Sequence, residues 1–293
     1  MYYEPLHNFA KLFASLQEDY TEVRHKYLHL TAIPEYNRKA LDILERLMTC
    51  NYQHLPRAVT LNIHMRLYDT AQMFWCMKRA NTTEKQAICL KEGEAKCKAK
   101  SLHFLKVIRL STKSVGQLMD KHPCLKMIYL VRDPRGNFLS KQRAFNFITA
   151  NTAYEAERYC TRVNKDITHA LRLKRKYPER VHLTRYEDIA ESPITTARQL
   201  YSFLNLTFTE SVARFIYNNT QAGLGDRRVY TLTRGNSSEV SYAWRSKIKL
   251  ADVKAFDAQC KDVYFKLGYL PVSSEPHLRN QNIPLKFDKS YIT

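Results

Sequence analysis

The sequence has 293 residues, 44% of them apolar, and a formal net charge of +19 from 47 Lys and Arg against 28 Asp and Glu. Seven glycines and ten prolines exclude a collagen-like or low-complexity chain. No apolar stretch approaches the ~20 residues a membrane-spanning helix needs, and the charge favours an anionic partner: nucleic acid, an anionic membrane face, a sulfated or carboxylated glycan, or a phosphorylated nucleotide.

The opening MYYEPLH has neither the basic start nor the apolar middle of a signal peptide. Tyr36, Ala40, Ile43, Leu44, Leu47 and Met48 then step by three and four, the spacing of a helix. Residues 79–101 are strongly polar and read as a loop carrying Cys89 and Cys97. Its lysines Lys91, Lys96, Lys98 and Lys100 either contact an acceptor or face solvent. Leu105–Leu110, Met127–Val131 and Val181–Thr184 are short apolar runs that read as strands, and the unbroken Met127–Val131 suits a strand buried on both faces of a parallel sheet.

Ala156, Cys160, Val163, Ile167, Ala170 and Leu171 predict a second helix, with Pro178 beyond it. Ser192 and Pro193 predict a capped helix start running to Leu204. Val253, Phe256, Cys260, Val263, Tyr264 and Leu267 predict one more helix, stopped by a left-handed Gly268. From Ser273 the sequence is polar and aperiodic, an expected irregular surface segment. Strands alternating with helices indicate an α/β domain over residues 1–270, with a central parallel sheet flanked by helices and a polar tail over 271–293.

Met127–Arg143, MIYLVRDPRGNFLSKQR, carries the most chemistry. Arg132 emerges where a buried strand ends, the edge at which open α/β sheets place ligands. Pro134 stops the strand, Gly136 permits a sharp turn, and a helix opens with Ser140 in or near its first turns. A helix start, a guanidinium and a hydroxyl together can hold a phosphate. The alternative is that Arg132 and Asp133 pair with each other at the strand end.

The run resembles the 3′-phosphate-binding motif of carbohydrate sulfotransferases, in which an aliphatic strand leads into Arg-Asp-Pro-Arg and a Ser follows eight residues after the first Arg, as in Arg132 to Ser140. Further segments resemble that family in order: Tyr2-Tyr3-Glu4-Pro5-Leu6-His7; Lys106-Val107-Ile108-Arg109-Leu110; Arg185-Tyr186-Glu187-Asp188 with Pro193 and Tyr201-x-Phe203-Leu204; and Arg234-x-Asn236-Ser237-Ser238 with Trp244-Arg245, Cys260 and Leu267-Gly268-Tyr269. The similarity spans Tyr2 to Tyr269, and the branch it resembles sulfates the 6-hydroxyl of N-acetylglucosamine, galactose or N-acetylgalactosamine in glycans and glycosaminoglycans.

The resemblance implies a nucleotide-triphosphatase-like sulfotransferase fold. It also implies 3′-phosphoadenosine-5′-phosphosulfate as co-substrate without a metal, a glycan acceptor, and a type II enzyme of the Golgi lumen. Arg132 and Ser140 take the 3′-phosphate role. Glu4 is the candidate general base, with His7 as its alternative; Glu4 is otherwise a surface carboxylate. Arg234 and Ser237 either touch the donor's nucleotide end or belong to a glycosylated surface loop. Arg185 and Tyr186 point to the same sheet edge, as site residues or as its fastening.

The family's 5′-phosphosulfate loop, an Arg-Ser-Gly-Ser-Ser type sequence, does not occur in these 293 residues. The order of segments places it upstream of Met1 with the first strand and the membrane anchor. The chain is therefore expected to be a truncated or catalytically impaired member, or a non-catalytic relative that binds sulfated glycans. No aromatic-basic RNA motif, zinc finger or basic zipper supports a nucleic-acid partner.

Four Asn-x-Ser/Thr sequons, at Asn81, Asn205, Asn218 and Asn236, fit a secretory protein. Of the seven cysteines, at least one is left without an intrachain partner. Cys160 and Cys260 form a disulfide or stay buried thiols, and Cys89 with Cys97 is a second possible pair. No Cys/His spacing suggests a metal site.

Overall fold

The computed structural model describes residues 34–66, 68–107, 110–145, 151–223 and 234–287, and these divide into two compact units whose boundary in sequence follows Leu118.

In the N-terminal unit, α1 is Pro34–Met48, α2 is Ala71–Arg79 and α3 is Thr83–Lys98. Tyr52, Leu55, Val59, Met73, Met77 and Leu90 form the core between them. Helix α3 corrects the expected loop over 79–101. Thr82 caps it by accepting the Lys85 N–H. Only Cys89, Leu90 and Gly93 of α3 are buried, a stripe too sparse to register as helical periodicity. Gly93 allows the close approach, because a Cβ there would stand 2.5 Å from Met73 Sδ.

Disulfides join Cys50 to Cys97 and Cys76 to Cys89, which replaces the Cys89–Cys97 pairing. Eight residues apart on one helix, Cys89 and Cys97 are separated by about 12 Å of rise, too far to bridge. His103 sits beside the first disulfide, its ring nitrogens 3.0 Å from the carbonyls of Met48 and Cys97. The expected strand Leu105–Leu110 is not formed over its described part. Leu105 and Val107 lie in an exposed irregular segment with no strand pairing, and Ile108 and Arg109 lie outside the described residues.

Helix α4, Thr112–Lys121, contains the boundary, and beyond it lies the α/β unit. Strands β1 (Met127–Val131) and β2 (Val181–Arg185) pair in parallel, in register from Met127 with Val181 to Val131 with Arg185. Leu130 is 47% exposed, so β1 is not buried on both faces as its composition suggested. Among the described residues it has a hydrogen-bonded neighbour on one side only.

Helix α5 is Pro134–Phe145, and α6, Thr152–Lys176, carries the chain back to β2. After β2 come α7 (Tyr186–Glu191), α8 (Pro193–Phe203), α9 (Glu210–Thr220), α10 (Ser237–Tyr242), α11 (Leu250–Gln259), α12 (Lys261–Leu267) and α13 (Glu275–Arg279). Pro193 opens α8 as expected, although the Ser192 side chain makes no capping bond.

The single helix expected over Val253–Leu267 is two, broken at Cys260 (φ −97°, ψ 15°). Cys260 is tied to Cys160 of α6 by a disulfide. Ala156, Cys160, Ile167 and Ala170 are buried on the face of α6 that packs against α11 and α12. Gly268, at φ 72°, is the left-handed stop.

From 271 to 287 the chain is mostly irregular and exposed, as expected, apart from α13, but it is pinned to the unit at several points. Leu270 N–H donates to the Leu285 carbonyl, Phe287 N–H to the Gly268 carbonyl, and Val272, Leu278 and Leu285 are buried. The buried Arg245 guanidinium donates to the carbonyls of His277, Leu278, Asn280 and Ile283 at 2.6–2.9 Å. Backbone carbonyls carry this packing, and they leave no mark on side-chain periodicity. No helix among the described residues is long and apolar enough to cross a membrane.

Candidate functional site

The site forms where β1 gives way to α5. Asp133 is the N-cap residue of α5: its Oδ1 accepts the Arg135 N–H at 2.9 Å, and Pro134 occupies the first helical position, where a missing N–H costs nothing. The same carboxylate grips the Arg135 guanidinium, Nε to Oδ1 at 3.0 Å and Nη2 to Oδ2 at 2.7 Å. Arg135 Nη1 reaches Asp257 Oδ1 at 3.1 Å and the Leu270 carbonyl at 2.9 Å. Its guanidinium carbon lies 5.1 Å from the Trp244 ring and 4.9 Å from the Tyr264 ring. Burial opposes the charge on Arg135, but Asp133, Tyr264 and Asp257 outweigh it and hold the group above its ordinary value. Arg135 is thus an internal strut with no exposed surface.

Arg132 is placed differently. The sequence left open whether it pairs with Asp133; that carboxylate belongs to Arg135 instead. Arg132 is half-buried, its guanidinium carbon 4.6 Å from the Tyr186 ring centroid. Its Nε is buried without a hydrogen-bond partner. Trp244 Nε1 is a second buried N–H with no acceptor, and its indole packs on the first turn of α5. Gly136 makes room for it, because a Cβ there would stand 2.8 Å from Trp244 Cδ1. Buried polar atoms are nearly always satisfied, and these two, with His277 Nε2 of α13, are the buried side-chain nitrogens without a partner among the described residues. Ser140 lies in the second turn of α5, exposed.

Beneath this edge, buried Glu187 accepts from the Asp133 N–H at 3.1 Å and the Tyr269 hydroxyl at 2.7 Å. Burial, then the charge of Asp133, pushes its carboxyl up to about 7. Arg185 is fastening rather than site. It donates to both oxygens of Asp188 at 2.8 and 2.9 Å and to the carbonyls of Leu267 and Phe287 at 3.1 and 2.9 Å. Tyr186, by contrast, presents its ring to Arg132.

Ser237 is buried, and its hydroxyl donates to the Ala190 carbonyl at 2.6 Å, tying α10 to α7. Asn236 caps α10 by accepting the N–H groups of Ser238 and Glu239. Arg234 is half-buried, its backbone N–H on the Asn219 carbonyl at 2.7 Å. Glu4 and His7 lie outside the described residues. The structure adds that Trp244 packs between Gly136 and Arg135 with its Nε1 lacking a partner. Its place in an ordered motif was visible, but nothing in a sequence shows that an indole N–H is left without an acceptor.

Residues 8–210 match a family model described as "Sulfotransferase family". Human carbohydrate sulfotransferase 1 is 28% identical over 217 residues, covering 67% of this chain and 51% of the relative. Human carbohydrate sulfotransferase 6 is 30% identical over 210 residues, covering 64% and 53%. Mouse carbohydrate sulfotransferase 3 is 29% identical over 210 residues, covering 66% and 44%. The chain spans about half the length of the curated relatives it matches. No solved structure matches.

Proposed function

Because this chain belongs to the sulfotransferase family, we propose that it transfers a sulfo group from 3′-phosphoadenosine-5′-phosphosulfate to the 6-hydroxyl of a hexosamine or galactose residue in a glycan. The observation that carries the reading is the division of labour between the two arginines. Asp133 pairs with Arg135, so Arg132 is left without that carboxylate and with a buried unpaired N–H at the strand end. A phosphate accepts from such a donor set: the guanidinium of Arg132 clamps it, and the Ser140 hydroxyl and the opening of α5 complete the hold.

When bound, the donor supplies an activated sulfur that the sugar oxygen attacks in line, with adenosine 3′,5′-bisphosphate leaving. The hydroxyl proton passes to a general base, for which Glu4 is the candidate and His7 the alternative. In the described residues Arg132 binds, Tyr186 holds its guanidinium flat, and Asp133, Arg135 and Glu187 keep the strand end rigid. The relatives' names support a carbohydrate acceptor. Disulfides Cys50–Cys97, Cys76–Cys89 and Cys160–Cys260 support an oxidising compartment such as the Golgi lumen.

Saturating adenosine 3′,5′-bisphosphate should raise the melting temperature by several degrees, since a ligand at about 100 times its Kd adds about 2.7 kcal/mol. A protein that joins these residues to an Arg-Ser-Gly-Ser-Ser type loop should place radiolabelled sulfo groups on oligosaccharides with a free 6-hydroxyl and not on 6-deoxy analogues, and the 293 residues alone should transfer little or none. A melting shift that inorganic sulfate reproduces in full, or label on another position, would contradict the reading.

A further inference from the structure

The two sides of α6 are each written as a line. The buried one passes through Ala156, Cys160, Ile167 and Ala170, against α11 and α12. The other passes through Arg158, Arg162, Lys165, His169, Arg172 and Lys176, at successive steps of four, three, four, three and four. Arg158, Arg162, His169 and Arg172 stand two places after the four buried residues, and two places on a helix is about 200° of rotation. The cationic line therefore runs along the back of α6, away from the core, for about 27 Å.

Arg162, Lys165, Arg172 and Lys176 are exposed, and Arg158 and His169 half-exposed. At the ends, Glu155 meets Arg158 at 3.4 Å and Asp120 meets Lys176 at 2.7 Å. Glu157 and Asp166 are the other acids of α6, and beyond Asp166 the helix has none. On the flank toward α12, Lys266 donates to Asn164 and Thr168, and Asp262 accepts from Asn164. The N-terminal part of the line adjoins the strand-end site. Arg162 and Lys141 both face the Tyr159 ring, at 5.9 and 4.7 Å, and Lys141 follows Ser140 in α5.

We infer that this line is a binding ridge for a linear polysaccharide carrying sulfate or carboxylate groups along its length, an inference that rests on the reading of a glycan as acceptor. A single row of cations on one helix matches a one-dimensional partner. A membrane face is matched by a broad basic surface with apolar side chains among the charges, and no member of this row is apolar. Side chains three and four apart on a helix stand about 5–6 Å from one another, so successive charges along an extended chain meet successive cations.

The test is equilibrium binding of size-defined chondroitin sulfate to the full chain across a salt series, with unsulfated chondroitin alongside. The triple variant Arg162→Glu/Lys165→Glu/Arg172→Glu is compared with Lys78→Glu/Lys85→Glu/Lys113→Glu, which changes net charge equally on exposed lysines elsewhere. The ridge variant should lose tenfold or more in affinity and flatten the log–log salt slope by about two, and the control variant should bind like the wild type. Unchanged circular-dichroism melting of the ridge variant separates this loss from unfolding. Equal loss in both variants would mean that net charge alone attracts the glycan, which overturns the ridge. So would ridge-dependent binding of phosphatidylserine vesicles with none of chondroitin sulfate. Adenosine 3′,5′-bisphosphate binding is measured on the same proteins. If the wild type binds glycan through the ridge and not the nucleotide, the donor reading fails and the ridge stands.

Discussion

Arg132 and Arg135 flank the same aspartate, and the folded chain gives that aspartate to one of them. Asp133 serves as N-cap, which turns its carboxylate into the first turn of α5, toward Arg135 and away from Arg132. The two arginines should therefore respond oppositely to substitution. Arg135→Leu leaves Asp133 and Asp257 buried without their cation and should cost about 3–5 kcal/mol in urea denaturation. Arg132→Ala loses chiefly its stacking on Tyr186, worth about 1 kcal/mol or less. Equal destabilisation by the two would contradict this division. The motif itself was legible in sequence. Which arginine stays unpaired was not, because Asp133 could serve either until the helix fixes its rotamer.

Glu187 makes a pH prediction at the same scale. Its carboxyl rises from an ordinary 4.5 to about 7 in the fold, so folding takes up a proton between those values. Stability contributed by this group is fully present below about 4.5 and is lost as pH rises through about 7. Between pH 5 and 7.5 the wild type should lose about 2 kcal/mol that Glu187→Gln does not, read from urea midpoints.

At the scale of elements, apolar spacing located α1, α6 and α8 and the two strands, because each has a continuous buried stripe or run. It missed α3, whose buried face is three residues and whose packing depends on Gly93 against Met73. It joined α11 to α12, because the apolar period continues through Cys260 while the backbone does not. The disulfide from Cys260 to Cys160 clamps that break to α6 across a sequence separation of 100 residues. Replacing both cysteines with serine should lower stability by about 4 kcal/mol, from loop-closure entropy restored to the unfolded chain. The melting temperature of the double variant should then match that of the reduced wild type for this bond; an unchanged melting temperature would contradict the clamp.

For the whole molecule, the sequence showed that an α/β unit exists and where its first described strand gives way to a helix, since both follow from the order of strand, turn and helix. The closing of its C-terminal end was hidden. Arg245 gathers four backbone carbonyls, and Arg185 ties two more, through contacts that no side-chain pattern encodes. The net charge of +19 likewise announced an anionic partner without distinguishing a nucleotide from a polysaccharide. On the reading proposed above, a strand-end clasp takes the nucleotide and an adjoining helical ridge takes the polysaccharide.

The clasp is tested most directly by calorimetric titration of adenosine 3′,5′-bisphosphate and adenosine 5′-monophosphate into the wild type and Arg132→Ala. The wild type should prefer the bisphosphate by about tenfold or more, the worth of a charge-assisted hydrogen bond, and the variant should bind both nucleotides alike. A variant that keeps the full preference for the 3′-phosphate would show that Arg132 does not hold it.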